Sequence, residues 1–217
     1  MNLDISATPQ DAIDHLCDRI VSASPRSLVL TGGTTAGAAY AQLASAQWRD
    51  RMDWSAVTLY FGDERRVPPE DEGSCYRLAA ETLLSGVTPA GVERMRGEEP
   101  DGDAEAARYG ALLPERLDVT LLSMGEDGHC ASLFPGSPQL AERERLCTTG
   151  LASYAPFERI TLTLPALDRS RLVLVLALGG RKREALARIR AGEQLPSAMV
   201  APSNGEVVWI VDDAALG

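Results

Sequence analysis

The sequence is poor in lysine and histidine and has no long apolar run, and each shortage narrows the range of functions. Its 217 residues include two histidines, and Lys182 is the one lysine. No apolar stretch approaches the roughly 20 residues of a membrane helix, so we expect no membrane partner. Residues 1–11 contain neither a basic nor an apolar region, and we therefore expect no secretory signal peptide.

Cysteine is also scarce, and the four cysteines stand far apart. They are Cys17, Cys75, Cys130 and Cys147, and none forms the C-x-x-C spacing of metal or redox sites. Four cysteines are too few for a disulfide scaffold of this length, which predicts reduced thiols in a cytoplasmic protein. Because one histidine stands among the motifs described below, we expect no zinc or other metal site.

The chain is acidic, with 31 acidic and 21 basic residues and a formal net charge of −10 at pH 7. This charge argues against nucleic acid or an anionic membrane as a partner, because neither surface attracts an acidic protein. An anionic small substrate would need cations that are gathered locally. All basic residues except Lys182 are arginine. This position therefore suggests a need for a compact ammonium, with chance retention as the alternative.

Apolar segments of strand length alternate with segments of helical periodicity along the chain. We predict strands at 27–31, 57–61, 119–122, 160–164, 172–178 and 207–211. We predict helices that start at Thr8-Pro9 and at about 35–46, 76–84, 104–113 and 181–191. This alternation is typical of an α/β fold, here a Rossmann-like, mostly parallel sheet with helices on both faces. We expect one domain over 1–217, in which the segment around 85–105 is the candidate for a minor lobe.

The stretch 117–136 carries the strongest chemical signal. A predicted buried strand runs into the turn Gly125-Glu126-Asp127-Gly128, and His129 follows. Open α/β folds place such polar residues at the carboxyl edge of the sheet, where ligands bind. His129 is therefore a candidate for proton transfer, with Asp127 to fix its tautomer. A partly buried or helix-capping histidine is the structural alternative. Cys130 suggests a thiol nucleophile, but no second histidine is placed to activate it.

A second candidate site follows the first predicted strand. The loop Gly32-Gly33-Thr34-Thr35 leads into a helix, and its glycines let backbone N–H groups approach an anion at the positive end of the helix dipole. Phosphate is the natural ligand of such a loop. An ordinary strand-to-helix turn with a threonine cap explains the same residues equally well. The segment 33–37 also resembles a nucleophile elbow with threonine in the serine position.

Charged residues stand at the ends of other predicted strands. Asp63-Glu64-Arg65-Arg66 follows the strand at 57–61 and supplies two carboxylates and two guanidiniums. Arg159 precedes the strand at 160–164 and Lys182 opens a helix, so both stand at boundaries where a cation can face a shared pocket. A solvated rim is the alternative for such mixed charge. Because three strand ends carry polar residues, we favour a functional site.

An ordered set of motifs resembles one family along nearly the whole chain. The motifs are Thr31-Gly32-Gly33-Thr34-Thr35 with Tyr40, 54–61 with Asp63-Glu64-Arg65-x-Val67-Pro68, Ser74-x-Tyr76, Arg94-Met95-x-Gly97, Met124-Gly125-x-Asp127-Gly128-His129-x-Ala131-Ser132-Leu133-Phe134-Pro135-Gly136, Arg159-Ile160-Thr161-Leu162-Thr163 and Gly179-Gly180-x-Lys182. Together they resemble the 6-phosphogluconolactonases, in the superfamily that these share with glucosamine-6-phosphate deaminases.

The resemblance implies hydrolysis of 6-phosphoglucono-1,5-lactone to 6-phosphogluconate in the oxidative pentose phosphate pathway, with no metal and no cofactor. For this reaction we assign His129 as the general base that activates water, oriented by Asp127. Arg65 is the candidate for stabilising the oxyanion, with backbone N–H groups of the Gly125 to Gly128 turn, and Asp63 is the candidate for binding sugar hydroxyls or for holding Arg65. We assign phosphate binding to Gly32, Gly33, Thr34, Thr35, Arg159 and Lys182.

Three positions depart from the family pattern: Ala36 where proline is usual, Cys75 where asparagine is usual and Cys130 where a small hydroxyl residue is usual. The deaminase branch usually has tyrosine where Arg65 stands and Asn-Glu-Pro where this chain continues with Pro135-Gly136, so the lactonase branch fits better. A deaminase-isomerase that uses Asp63 as its base stays open as an alternative, as does a non-catalytic sugar-phosphate sensor. We expect a monomer or a weak homo-oligomer.

Overall fold

The computed structural model describes residues 1–217 and contains ten strands and eight α-helices. The strands are β1 (Asn2–Ser6), β2 (Ser27–Leu30), β3 (Thr58–Phe61), β4 (Asp63–Arg65), β5 (Gly91–Val92), β6 (Leu117–Ser123), β7 (Cys147–Leu151), β8 (Glu158–Leu162), β9 (Ser170–Ala177) and β10 (Glu206–Asp212). The helices are α1 (Pro9–Ala23), α2 (Thr34–Leu43), α3 (Cys75–Ala79), α4 (Gly102–Leu112), α5 (Leu164–Leu167), α6 (Arg183–Arg190), α7 (Pro196–Met199) and α8 (Asp213–Leu216).

Seven strands form one parallel sheet in the order β1-β10-β9-β6-β2-β3-β5. The chain leaves β2 toward β3 on one side and leaves β6 toward β9 on the other, so the direction of winding changes between β2 and β6. In open α/β sheets this switch point is where ligands bind, at the carboxyl ends of the strands. The predicted α/β fold with a mostly parallel sheet is confirmed. None of the helices has both the length and the apolar character needed to cross a bilayer.

Side chains alternate between the two faces of the sheet, as the pleat of a strand requires. In β2, Leu28 and Leu30 join the apolar cluster packed with α1 and α2, whereas Val29 joins the cluster packed with α4 and α6. Each cluster contains 28 buried residues, so both faces are covered to the same extent. This double burial explains why the central strands are continuous apolar runs.

A second, three-stranded antiparallel sheet in the order β4-β8-β7 stands beside the end of β3. Gly62 joins the two sheets, because its N–H donates to Leu30 O of β2 and its carbonyl accepts from Leu162 N of β8. A side chain on Gly62 would contact the Leu30 carbonyl at 3.4 Å. Gly62 alone therefore separates the end of β3 from the start of the small sheet. The charged side chains of the small sheet lie at the carboxyl edge of the main sheet.

The sequence did not predict β1, β4, β5 or β7, nor the short helices α5, α7 and α8, and it misplaced several boundaries. β1 is an edge strand with one neighbour, and only Leu3 and Ile5 of its five residues are apolar, so it forms no continuous apolar run. The predicted strand at 160–164 ends at Leu162, because Pro165 lies in the first turn of α5. The single-domain organisation with a minor lobe around 85–105 stays a prediction; in the structure this segment contributes β5 to the edge of the main sheet.

Tyr40 of α2 fastens the end of β2 in the main sheet. Its buried hydroxyl accepts a hydrogen bond from Thr31 N at 2.7 Å and donates one to Thr31 O at 2.6 Å. These two backbone groups stand just beyond the last paired residue of β2, so Tyr40 completes the hydrogen bonding that the sheet no longer supplies. The loop that follows Thr31 is fixed in position by the same contact.

We expect Tyr40→Phe to lower the free energy of unfolding by about 1–3 kcal/mol, since it leaves a buried N–H and a buried C=O unpaired. The measurement is urea unfolding followed by far-UV circular dichroism. Tyr60→Phe is the matched control, because the Tyr60 hydroxyl makes no hydrogen bond in the structure, and it should change the free energy by less than about 0.5 kcal/mol. Equal effects of the two substitutions would contradict the role given to Tyr40.

Candidate active site

A cleft of about 400 Å³ opens at the switch point between β2 and β6. Its walls come from the loops after β2 and β6, from β4, from the β7–β8 connection and from the segment before α6. Seven of the residues predicted from sequence line it: Gly32, Gly33, Asp63, Arg65, Asp127, His129 and Lys182. Thr34, Thr35 and Arg159 do not line it. The polar strand ends therefore converge in one hollow, as the parallel topology predicts.

The turn after β6 presents His129 to the cleft. Gly125 N donates to His129 O at 2.8 Å and Gly128 N donates to Gly125 O at 3.1 Å, which closes the turn. The imidazole packs so tightly over Gly125 that a Cβ there would collide with the ring and lie 2.7 Å from Asp127 Oδ1. Position 125 therefore requires glycine, because the His129 ring leaves no room for a Cβ atom. Of the turn's N–H groups, those of Gly125 and Gly128 are used within the turn and are not free for an oxyanion.

Asp127 fixes the tautomer of the imidazole. Its Oδ1 lies 2.5 Å from His129 Nδ1 and also accepts from His129 N at 3.1 Å. Burial would raise the pKa of Asp127, but the hydrogen bond and the charge of His129 outweigh burial and hold that pKa below its usual range. An ionised carboxylate only accepts, so Nδ1 carries the proton and Nε2 keeps a free lone pair. The ring of Phe134, 4.6 Å from the imidazole between centroids, supports its other side.

β4 supplies Asp63 and Arg65 from the small sheet. Asp63 is 6% exposed, and its Oδ2 accepts from Ser132 Oγ at 2.7 Å, while its Oδ1 makes no hydrogen bond. The guanidinium of Arg65 is held through Nη1, which donates to Gly73 O and contacts Cys75 Sγ, both at 3.0 Å. Asp63 makes no direct ion pair with Arg65. The Nε and Nη2 donors of Arg65 have no partner within the protein and are free for a ligand.

Glu64, between these two residues, has a structural role. It is 2% exposed, and its carboxylate accepts from Cys75 N, Tyr76 N and Ser74 Oγ at the start of α3. Burial raises the pKa of Glu64, although the N–H donors oppose that shift. The Asp-Glu-Arg segment therefore divides into two residues that face the cleft and one that fastens α3 beneath it. The pleat of β4 produces this division.

The loop after β2 leaves the positive end of α2 open. The N-cap residue is Gly33, which has no side chain to cap the helix. No threonine side chain makes a capping hydrogen bond in its place. The N–H groups of the first turn, from Gly33 to Ala36, donate to no backbone oxygen. This excludes the turn with a threonine cap and favours the anion-binding interpretation. The nucleophile-elbow interpretation finds no support, because neither Thr34 nor Thr35 lines the cleft.

Lys182 enters the cleft from the segment between β9 and α6. Gly179 has φ +86°, in the left-handed region that favours glycine. Its N–H donates to both carboxylate oxygens of fully buried Asp212, at 2.9 and 3.1 Å, which fixes the segment. Burial lowers the pKa of Lys182, partly offset by Glu126. The ammonium makes no hydrogen bond and no ion pair in the structure, so an arriving anion would be its first partner.

Sequence reasoning missed the aromatic wall of the cleft. Tyr154, in the β7–β8 connection, lines the cleft, and its ring meets that of Phe134 edge to face at 5.9 Å. Phe134 in turn supports His129. Neither aromatic residue stands at the end of a predicted strand, and β7 itself was not predicted, so no sequence signal pointed to Tyr154. Phe134 did stand in the motif around His129, and that position was the available signal.

All four cysteines are buried free thiols. Burial raises the pKa of Cys17 to about 12 and raises the pKa values of Cys75, Cys130 and Cys147 further. A thiol is nucleophilic only as the thiolate. Cys130 is fully buried and does not line the cleft, so the thiol-nucleophile interpretation has no geometric support.

Comparison with known proteins finds relatives along nearly the whole chain. Residues 5–209 match the family described as glucosamine-6-phosphate isomerases/6-phosphogluconolactonase. A 6-phosphogluconolactonase of Streptomyces coelicolor is 36% identical, with 94% of this chain and 85% of that protein covered. A 6-phosphogluconolactonase of Mycobacterium tuberculosis is 38% identical, with 87% and 83% covered. The crystal structure of a 6-phosphogluconolactonase from Thermotoga maritima superposes with a TM-score of 0.85 at 26% identity, covering 98% of this chain and 99% of that one.

The burial of the thiols gives a direct test of the native site. We expect no thiol to react rapidly with Ellman's reagent at about pH 7.5 in the folded protein, because none is both exposed and ionised. All four should react after unfolding in guanidinium chloride. The opposite result would be one fast-reacting thiol in the native protein that the Cys130→Ser variant lacks. That result would support Cys130 as a nucleophile and contradict the structural interpretation.

Proposed function

The chain belongs to the glucosamine-6-phosphate isomerase/6-phosphogluconolactonase family, and from this premise we propose that it hydrolyses 6-phosphoglucono-1,5-lactone to 6-phosphogluconate. The reaction would be the lactone-opening step of the oxidative pentose phosphate pathway, carried out without metal or cofactor. The observation that carries the proposal is the imidazole of His129, which faces the cleft with Asp127 bonded to its Nδ1. The same proposal includes a cytoplasmic protein that acts as a monomer or weak homo-oligomer.

His129 acts as the general base. Its free Nε2 takes a proton from a water molecule as the water oxygen attacks the lactone carbonyl carbon, and the negative charge moves to the carbonyl oxygen. When this tetrahedral intermediate collapses, the bond between the carbonyl carbon and the ring oxygen breaks. The ring oxygen then takes the proton from the imidazolium, which restores the base. Asp127 stabilises the imidazolium between the two transfers.

Arg65 stabilises the oxyanion. Its Nη1 is fixed by Gly73 O and Cys75 Sγ, which leaves Nε and Nη2 as pre-oriented donors at the cleft. Donors that are already in position need little reorganisation as charge develops, which is the basis of this kind of catalysis. The free Oδ1 of Asp63 supports a role in binding sugar hydroxyls, since Ser132 occupies only Oδ2.

The phosphate of the substrate binds between the open start of α2 and Lys182. Unpaired N–H groups and the helix dipole favour a dianion at Gly33. The ammonium of Lys182 adds a positive charge at this position. Gly32, Thr34, Thr35 and Arg159 complete the predicted phosphate site. Arg159 does not line the cleft and reaches the phosphate only if the wall of the cleft in front of it moves.

Two rivals are separated by simple assays. A glucosamine-6-phosphate deaminase would release ammonia from that sugar phosphate, and a sensor would be stabilised by sugar phosphates without turnover. The absence of tyrosine at Arg65 supports the lactonase over the deaminase. No group of three or more His, Cys, Asp and Glu side chains is arranged to hold a metal ion.

We expect His129→Gln to lower kcat by about 10²–10⁴-fold with a small change in KM, because a general base contributes that much and the phosphate anchors the substrate. The assay couples 6-phosphogluconate formation to its oxidation, at a pH where the lactone opens slowly by itself. His15→Gln is the matched control, because His15 lies outside the cleft, bonded to Ser6 and Asp4, and its kcat should equal that of wild type. A fully active His129→Gln variant would remove the mechanism.

We expect Lys182→Met to raise KM by roughly 10–100-fold and to leave kcat nearly unchanged, since a charge-assisted contact with the phosphate is lost. Arg181→Met is the control, because that exposed side chain pairs with Glu126 and does not line the cleft. With unphosphorylated glucono-1,5-lactone the two variants should behave alike. A loss confined to kcat would place Lys182 at the reacting bond and contradict phosphate binding.

A further inference from the structure

Arg159 is a buried cation with an unused hydrogen-bond donor. The residue is 1% exposed, the largest side chain among the fully buried residues. Its Nη1 donates to the carbonyl of Glu158 at 3.1 Å, but its Nη2 is buried without a partner, and no carboxylate forms an ion pair with it. Buried donors are almost always paired, most of all when they are charged. The unpaired guanidinium nitrogen is therefore available to an anionic ligand.

The register of the small sheet sets the direction of this side chain. Arg159 of β8 lies opposite Arg65 of β4, and Thr161 lies opposite Asp63. Opposed residues share a face, and Asp63 and Arg65 line the cleft. Arg159 therefore stands on the cleft side of the sheet, behind its wall. Burial and the neighbouring charge of Arg65 lower the pKa of Arg159, although Asp63 opposes them. Because no carboxylate forms an ion pair with it, the Arg159 guanidinium favours an anion as its partner.

Tyr154 stands between Arg159 and the cleft. Its ring lies 5.4 Å from the guanidinium carbon of Arg159, within cation–π distance, and it lines the cleft on the other side. The side chain is 46% exposed, and Leu151 and Phe157 of the same hairpin are exposed by 68% and 56%. Because little of the hairpin tip is packed against the core, a rotation of Tyr154 would break few contacts.

We propose that Tyr154 is a displaceable cover over Arg159, and that a phosphate monoester dianion in the cleft displaces this ring and takes the free donor of Arg159. The cover holds the cation in a cation–π contact until a stronger, charge-assisted partner arrives. Arg159 would then hold the anion from β8, together with the start of α2 and Lys182 of the proposed phosphate site. The inference rests on the proposed function for the identity of the substrate, but it concerns anion binding and can be tested without turnover.

A cover that must move weakens the observed affinity, because only the uncovered fraction of the protein binds fully. Replacing the ring should therefore tighten binding, whereas a ring that contacts the ligand directly would weaken binding when lost. The test is isothermal titration calorimetry of the full chain with inorganic phosphate at fixed ionic strength. We expect Tyr154→Ala to lower Kd by at least about threefold. Phe157→Ala, on the same hairpin, should match wild type.

The gain must depend on Arg159. In the Tyr154→Ala background, Arg159→Met should weaken phosphate binding by roughly tenfold or more and abolish the gain. Arg159→Lys keeps the charge and serves as the second variant if the methionine variant unfolds, and it should restore part of the affinity. Thermal unfolding of each variant shows whether the fold is kept.

The outcomes separate this inference from the proposed function. Unchanged or weaker phosphate binding in Tyr154→Ala overturns the cover, and so does a gain that persists in the double variant. Absence of phosphate binding by both wild type and Tyr154→Ala overturns it as well. Wild-type protein that binds phosphate with the expected pattern and opens no lactone would leave the cover in place and would overturn the hydrolase.

Discussion

The site depends on one close approach, that of the His129 imidazole to the backbone at Gly125. Because Gly125 has no side chain, the His129 ring can lie directly against the turn. There it reaches the carboxylate of Asp127, two residues before His129. With the carboxylate on Nδ1 and Phe134 against the ring, the imidazole has one free nitrogen and one direction to present it. The rest of the fold determines where that nitrogen points, because the turn is the direct continuation of β6 at the switch point of the sheet.

The small antiparallel sheet brings the second half of the site to this nitrogen. Gly62 bonds to both sheets, so β4 departs from the end of β3 at the level where the parallel strands stop. The pleat of β4 then sorts the Asp-Glu-Arg segment, with Asp63 and Arg65 toward the cleft and Glu64 into the start of α3. A rigid pairing with β8 thus places charged groups that would otherwise lie on a mobile loop.

The sequence was sufficient for the parts of the fold that are buried on both faces. β2, β6, β9 and β10 are largely apolar runs followed by glycine or charge, and their parallel direction follows from the alternation of strands with helices. It was insufficient for β1, β4, β5 and β7, since these strands are short or carry few apolar residues. For the same reason the site was predicted where it follows apolar strands, at His129, Asp63 and Lys182. It was missed at Tyr154, whose position depends on an unpredicted hairpin.

The chain has a net charge of −10, yet the way in which its charged side chains are paired leaves cations available to an anionic ligand. Each acid of the cleft has another partner: Asp127 bonds to His129, Asp63 to Ser132, and Glu126 pairs with Arg181. The three cations at or behind the cleft, which are Arg65, Arg159 and Lys182, take part in none of the protein's ion pairs.

Cys75 holds the guanidinium of Arg65 in position without forming an ion pair with it. A carboxylate at that position would fix the guanidinium equally well but would cancel its charge. The buried thiol fixes it at 3.0 Å while staying neutral, because burial raises the pKa of Cys75. An anion that enters the cleft therefore meets cations that form no direct ion pair with a carboxylate, although the chain as a whole is acidic.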